Sequence, residues 1–456
     1  IGPLGDLKGN AYFRSLSQED LLATADLSHV VYGTDKPAWS FDHGKALSLY
    51  EYAPAVHAAP LMVGVSGPIA SHKLISTCFT ELGGAGGTQR SYGPLSEDGR
   101  TVYFTAEGRK DSTGCEAVSP SEAPEVRQLW ARIDGEEEGR ARSVLISAPT
   151  LETCETKECK ENTGKARETE RARDASFEGA STDGSHVFFT DTQQLTDGAS
   201  QSSASSLGCN ERGGPGDPGC NLYESECEHC QELTEEQEPA RRHLIDVSEG
   251  AREHGGPRVQ GVLAMSAHGS HVYFVAKGKL TGVEENQNHE QAQEEADNLY
   301  VYERDKAFPK GHLAFITTLS PSDEREWRPG SLIANVTPDG RFLVFTSHRA
   351  LTADTTREAG PAQVFEYDSQ TRALIRVSIG EKGFNDNGNA GSGNASIMPA
   401  QWTEALSAPM RSDPTMSDDG TFVFFQSPVA LTPRALNDVP AGEEKLAQNV
   451  YEYHQG

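Results

Sequence analysis

Hydrophobic and polar positions along this chain repeat in one order: a polar turn, then a short run ending in apolar or aromatic residues. The six copies are Asp26-Leu27-Ser28-His29-Val30-Val31-Tyr32, Asp98-Gly99-Arg100-Thr101-Val102-Tyr103-Phe104, Asp183-Gly184-Ser185-His186-Val187-Phe188-Phe189, His268-Gly269-Ser270-His271-Val272-Tyr273-Phe274, Asp339-Gly340-Arg341-Phe342-Leu343-Val344-Phe345 and Asp419-Gly420-Thr421-Phe422-Val423-Phe424-Phe425. An acid at the first place caps the bend, and glycine takes the positive φ that other residues resist. A second run follows each copy: Leu49–Tyr52, Leu129–Arg132, Asn221–Glu224, Asn298–Tyr302, Gln363–Tyr367 and Asn449–Tyr453. Its alternation of apolar and polar residues predicts half-buried antiparallel strands. A third run, as in Leu61–Ser66, Ser143–Ser147, His243–Ser248, Leu313–Thr317 and Ala373–Ser378, predicts an outermost strand, and runs such as Gly261–Ser266 and Ser331–Val336 predict an innermost strand before the turn.

Successive copies start 72, 85, 85, 71 and 80 residues apart. Such steps are too long for solenoid turns and suit four-stranded blades carrying loop insertions. The predicted fold is all-β: a six-bladed β-propeller of four-stranded antiparallel blades with long loop insertions, forming a single domain over 1–456. Blade cores are expected near 21–66, 90–147, 176–248, 259–318, 331–379 and 409–453. The sixth blade lacks an outer strand after Tyr453, and Ala11-Tyr12-Phe13-Arg14-Ser15-Leu16-Ser17 has the outer-strand pattern. Residues 11–17 are therefore expected to complete that blade and close the ring, hiding its edges.

Charge narrows the partners. Lys plus Arg number 40 against 68 Asp plus Glu, for a net charge of −28. A nucleic-acid backbone would be repelled, and no Lys/Arg cluster offers a local exception. Cationic partners and divalent ions are favoured, and solubility alone also accounts for an acidic surface. No run of about eighteen apolar residues occurs, so no membrane-spanning helix is expected. Ile1 reads as a processed or trimmed end.

The eight cysteines lie in polar, loop-like sequence. Cys78 and Cys115 flank one repeat core, Cys154 and Cys159 lie close together, and Cys209, Cys220, Cys227 and Cys230 share one insertion. This usage predicts disulfides in an oxidising compartment, hence a secreted or cell-surface protein. Cys227-Glu228-His229-Cys230 also reads as half of a metal site, but Cys209 and Cys220 are too far apart to supply the second C-x-x-C of a zinc ribbon. The first pairs to test are Cys209 with Cys220, Cys227 with Cys230, and Cys78 with Cys115.

Candidate chemistry is sparse. Polar stretches at Glu152–Arg173, Asp197–Asp217, Glu284–Ala296 and Arg434–Leu446 are expected to be surface loops of variable order, acting as recognition elements or as solvated spacers. In Phe384–Asn394, oxygen-bearing side chains alternate with glycine, so Asn385, Asp386, Asn387 and Asn389 are the candidate ligands for calcium, the one cofactor the sequence suggests. With a single carboxylate and no EF-hand spacing, the same stretch reads more readily as a plain Asn/Gly turn. Trp327 and Arg328, with Trp402 and Arg411, precede inner strands and are the candidate binding residues at one mouth of a central channel, able to stack on a sugar or clamp a carboxylate, or simply to plug the ring. His29, His186 and His271 share one repeat position, which argues for a structural role. No catalytic motif such as G-x-S-x-G or H-E-x-x-H is present, and no catalytic residue is assigned.

The element S/T-x-D-G-x-x-V-x-F followed by N-L-Y-x-Y resembles the repeat of TolB-type propellers, a group related to WD-type repeats, from Asp26 to Tyr453. The resemblance implies a propeller and leaves activity open, since that family includes periplasmic partner-binding subunits, propeller domains of prolyl peptidases and pectin-fragment lyases. Leu27 and His268 depart from the repeat at the turn glycine and the turn acid. Two function classes follow. The first is a non-enzymatic module that binds a protein or envelope polymer, or assembles with copies of itself into an oligomer or fibre. The second is a metal-assisted lyase or hydrolase acting on an acidic polysaccharide, with ligands gathered in the central channel.

Overall fold

A computed structural model describes residues 21–34, 39–42, 47–53, 59–67, 74–76, 80–83, 93–107, 126–137, 139–150, 153–157, 159–160, 173–200, 209, 220–233, 241–249, 256–327, 333–354, 360–385, 393–397, 415–435 and 448–454. The chain divides into two compact units, Ile1–Val259 and Gln260–Gly456.

Among the described residues the first unit holds three antiparallel sheets, each a four-stranded meander. They are β1 Leu21–Ala23, β2 Val30–Thr34, β3 Ser48–Tyr52 and β4 Leu61–Met62; β5 Thr80–Leu82, β6 Thr101–Glu107, β7 Arg127–Ile133 and β8 Arg142–Leu145; and β9 Ser176–Ala180, β10 His186–Asp191, β11 Asn221–Glu226 and β12 His243–Asp246. In the second unit, β13 Val259–Met265, β14 His271–Ala276, β15 Asn298–Glu303 and β16 His312–Thr318 form one sheet, with β13 starting at the unit boundary. A further sheet comprises β17 Asn335–Val336, β18 Phe342–Ser347, β19 Gln363–Asp368 and β20 Ala373–Arg376, followed by the hairpin β21 Phe422–Ser427 and β22 Asn449–His454. The second sheet starts at Thr80, earlier than the expected 90, because its inner strand ends at Gly83 (φ 68°) well before the turn at Asp98. The strand expected at 11–17 lies outside the described residues.

Each meander is built on the repeated turn. In the second sheet Ser96 Oγ donates to Asp98 Oδ1 at 2.6 Å and accepts the Thr101 N–H at 2.9 Å, while Asp98 Oδ1 accepts the Arg100 N–H at 3.0 Å. Ser181 with Asp183, Thr337 with Asp339, and Ser417 with Asp419 repeat the arrangement. Where His268 replaces the acid, Ser266 Oγ still accepts the His271 N–H at 3.0 Å. The hydroxyl two places before the acid therefore holds the turn even without it.

The same turns join neighbouring sheets within each unit. A Cβ added to Gly99 would lie 2.2 Å from the His29 ring, and one added to Gly420 would lie 2.2 Å from the Phe342 ring. Glycine is thus required by space as well as by its positive φ of 74° and 75°. The Tyr103 hydroxyl donates to the Gly184 carbonyl at 2.8 Å, and the Tyr273 hydroxyl to the Gly340 carbonyl at 2.7 Å. Where the following sheet lies in the same unit, the residue at the start of the hairpin strand so roofs its turn, and the residue two places on is buried: Tyr103, Tyr273 and Val344 are all at most 2% exposed. On β21 the positions equivalent to Phe342 and Val344 are Phe422 and Phe424, which are 37% and 44% exposed.

Among the described residues, three disulfides tie loops of the first unit: Cys154–Cys159, Cys209–Cys220 and Cys227–Cys230. The C-x-x-C is therefore a bridge with both thiols consumed; Cys78 and Cys115 lie outside the described residues. No helix among the described residues is long and apolar enough to cross a membrane.

Candidate functional site

The outer strands β16 and β20 belong to consecutive sheets of the second unit, and a groove of about 520 Å3 lies between them. Its floor is apolar, formed by Ala314, Phe315 and Ile316 on one side and Ala373, Leu374 and Ile375 on the other. Its size falls in the ordinary range for ligand sites.

One rim is the 281–291 segment, most of which falls in the Glu284–Ala296 stretch that composition assigns to a surface loop of variable order. Here it is an ordered turn closed by a Glu285–Gln291 bridge and by the Asn286 N–H donating to the Glu290 carbonyl at 2.9 Å. Its side-chain amides tether it to both sheets. Asn286 Nδ2 donates to the Ile316 carbonyl at 2.8 Å, Asn288 Nδ2 to the Leu351 carbonyl at 3.1 Å, and Gln287 Nε2 to the Thr371 carbonyl. Glu284 and Glu285 stand exposed on this strap. Glu285 meets His289 Nδ1 at 3.3 Å, whereas Glu284 has no cationic partner among the described residues.

The far end of the groove is polar but internally balanced. Glu303 Oε2 accepts from Arg372 Nη2 at 2.5 Å and lies 3.1 Å from His312 Nδ1. Arg372 also reaches the Tyr367 hydroxyl at 3.4 Å, and His312 stacks on Phe308 with ring centroids 4.4 Å apart. Burial works against the Arg372 charge, but its bonds to Glu303 and Tyr367 outweigh this and raise its pKa. Burial raises the Tyr367 hydroxyl as well. Buried His271, 3.7 Å from Glu303 Oε1, is pushed below the usual histidine range by desolvation. One carboxylate thus absorbs the cations, and the groove keeps the negative sign of its strap.

A second cluster surrounds the 3-10 turn Pro321–Glu326, whose cap is Ser320: its own N–H donates to Asp323 Oδ2 at 2.9 Å. Asp323 is shared by Ser347 Oγ at 2.5 Å and His348 Nδ1 at 2.8 Å. Glu326 accepts from the Thr346 hydroxyl, and complete burial pushes its carboxyl up to about 8. Both hydroxyl and imidazole bond the same carboxylate, so this is not the relay in which imidazole deprotonates a serine. Trp327 ends the turn and is 3% exposed, packed with its carbonyl over Gly261. Its ring is not offered to a sugar. Arg328, Trp402 and Arg411 lie outside the described residues.

Asn385 of the proposed calcium loop takes a left-handed conformation (φ 48°), and its Nδ2 donates to the Ala430 carbonyl at 2.7 Å. That bond is what a structural turn requires. Asp386, Asn387 and Asn389 lie outside the described residues.

A ring nitrogen of His29 and carboxylate oxygens of Glu51 and Glu136 lie within 4.8 Å of one another, a donor set of the kind divalent metals use. Two observations assign it to structure instead. Arg132 is 1% exposed, donates to the Gly67 carbonyl at 2.9 Å, and is attracted by both carboxylates, which holds its burial-lowered pKa at about 10. The His29–Glu51 contact of 2.6 Å recurs as His186–Glu224 at 2.7 Å in another sheet. The Glu51 hydrogen bond raises the His29 pKa; for His186 burial opposes the charge, but the Glu224 bond outweighs it and the pKa is again raised. The shared repeat position of these histidines foreshadows this; the groove has no comparable signal in the sequence, because its walls come from separate repeats.

No family model matches the chain, and no curated protein matches it. Solved structures similar to it include a putative TolB from Agrobacterium tumefaciens, at 12% identity and TM-score 0.31 over 78% of this chain and 79% of that one. TolB from Acinetobacter baumannii aligns at 12% identity and TM-score 0.29, over 78% of this chain and 54% of that one. Prolyl oligopeptidase B from Galerina marginata, bound to a 35mer substrate, aligns at 8% identity and TM-score 0.37, over 90% and 38%.

Proposed function

We propose that this chain is a six-bladed β-propeller acting outside the cytoplasm as a binding module for a protein or envelope polymer. The recurring meanders, each roofing the next turn within its unit, support the propeller arrangement. The three disulfides support an oxidising compartment. The observation that carries binding is the groove between β16 and β20, with an apolar floor and a strap fixed to both sheets by side-chain amides. An ordered rim over an apolar floor is what recognition needs, since little conformational entropy is then lost on binding. The alternative, a lyase or hydrolase on an acidic polysaccharide, draws on the Asp323–His348 pair beside protonated Glu326.

Calorimetric titration of the full chain with chitosan oligomers, polylysine, peptidoglycan fragments and polygalacturonate tests both readings, using Ala373→Trp to fill the groove. Binding of any of these that is lost in Ala373→Trp supports the module. Release of unsaturated or shortened polygalacturonate, abolished by His348→Asn, would replace binding with catalysis.

A further inference from the structure

Strand β16 is the last strand of its sheet, and its outer edge has no strand partner among the described residues. An edge of this kind presents backbone donors and acceptors to any extended chain. The strap already uses that edge, because Asn286 donates its amide N–H to the Ile316 carbonyl at 2.8 Å, and Gln287 does the same to the Thr371 carbonyl just before β20. Beyond these bonds His312, Leu313 and Ala314 remain half-buried, as do Ala373 and Leu374 across the groove. With the Ile316 carbonyl taken by the strap, the site offers the 312–314 stretch of the strand edge along one wall and apolar side chains beneath it.

Charge selects among extended chains. Arg372 and His312 are both engaged by Glu303, so neither is left for an acidic partner. Glu284 and Glu285 are exposed on the strap, and the chain as a whole carries a net charge of −28. A cationic segment is steered toward the groove and an acidic one is repelled.

We propose that the groove takes an extended peptide of alternating apolar and basic residues, which adds as a further strand along β16, with apolar side chains on Ala314 and Leu374 and cations at Glu284 and Glu285. This rests on the reading of the groove as a binding site and names its ligand class.

The test uses the full chain and a fluorescent peptide of alternating lysine and valine, about eight residues long to match an ordinary strand, followed by anisotropy at physiological salt. Binding is expected, with a loss of at least about tenfold when alternate peptide amides are N-methylated, because the strand bonds are then blocked. Glu284→Lys with Glu285→Lys is expected to weaken binding by a similar factor; Glu284→Gln with Glu285→Gln is the milder check should the reversal disturb the strap. Equal affinity of the N-methylated peptide would overturn strand addition, and equal affinity of both charge variants would place the peptide elsewhere on an acidic surface. Failure of the lysine–valine peptide to bind overturns the ligand class alone; a polymer still lost in Ala373→Trp keeps the groove as a binding site.

Discussion

His29 stands on Gly99 with its ring where a side chain at 99 would begin, 2.2 Å from an added Cβ, and its Nδ1 meets Glu51 at 2.6 Å. One residue thereby seals the junction of two sheets and carries a buried ion pair. Gly99→Ala is expected to destabilise the protein by about 2 kcal/mol or more, from positive-φ strain and overpacking together. Gly282→Ala is the control: its φ is 61°, yet nothing lies within 4 Å of an added Cβ, so strain acts alone. Thermal melts of the two variants should differ clearly, and equal losses would contradict the packing role of the turn.

The histidine pairs set a pH dependence. Native-state pKa values of His29 and His186 are raised, so their stabilisation is complete below the unfolded value near 6.5 and is lost as pH climbs through the raised native values. His271 is shifted the other way and loses stability on acidification. The difference in unfolding free energy between wild type and His29→Gln should therefore shrink as pH rises from about 6 to about 8. A constant difference would show that the pair contributes through shape alone.

Glu326 behaves oppositely to a paired acid. Its carboxyl is raised to about 8, so the native state is favoured while it stays protonated and weakened as pH rises from the unfolded value toward 8. Glu326→Gln keeps an acceptor for the Thr346 hydroxyl and removes the ionisation. The variant should melt higher than wild type above pH 7, with the gain absent at pH 4. A stabilising substitution at a buried acid would mark Glu326 as kept for something other than stability.

Peptide mapping under non-reducing conditions should recover Cys154–Cys159, Cys209–Cys220 and Cys227–Cys230 as pairs within the first unit. Any crossed pairing among these six would contradict the positions of the loops that carry them.

Much of this architecture was legible because it is local. The turn hydroxyl, acid and glycine stand within five residues of the strand they start, and the second strand of each meander is marked by aromatic alternation, as in Asn298–Tyr302 and Gln363–Tyr367. Inner strands were harder: in the described part, 333–336, of the expected Ser331–Val336 run only Asn335–Val336 is a strand, and Thr80–Leu82 is separated from its turn. The groove was not legible at all. Glu284 and Leu374 come to line one groove only through tertiary packing, and the strap is ordered by amide-to-backbone bonds that a polar composition does not distinguish from a solvated loop. Trp327 looked like a ligand platform by position, but the capped turn before it places it in the interior.

The groove is tested most directly by hydrogen–deuterium exchange of the full chain with and without the lysine–valine peptide. Slowed exchange confined to the strap at 284–288 and the β16 edge at 312–316 is the predicted result. Unchanged exchange there, with protection appearing on another sheet, would contradict the assignment of this groove as the binding site.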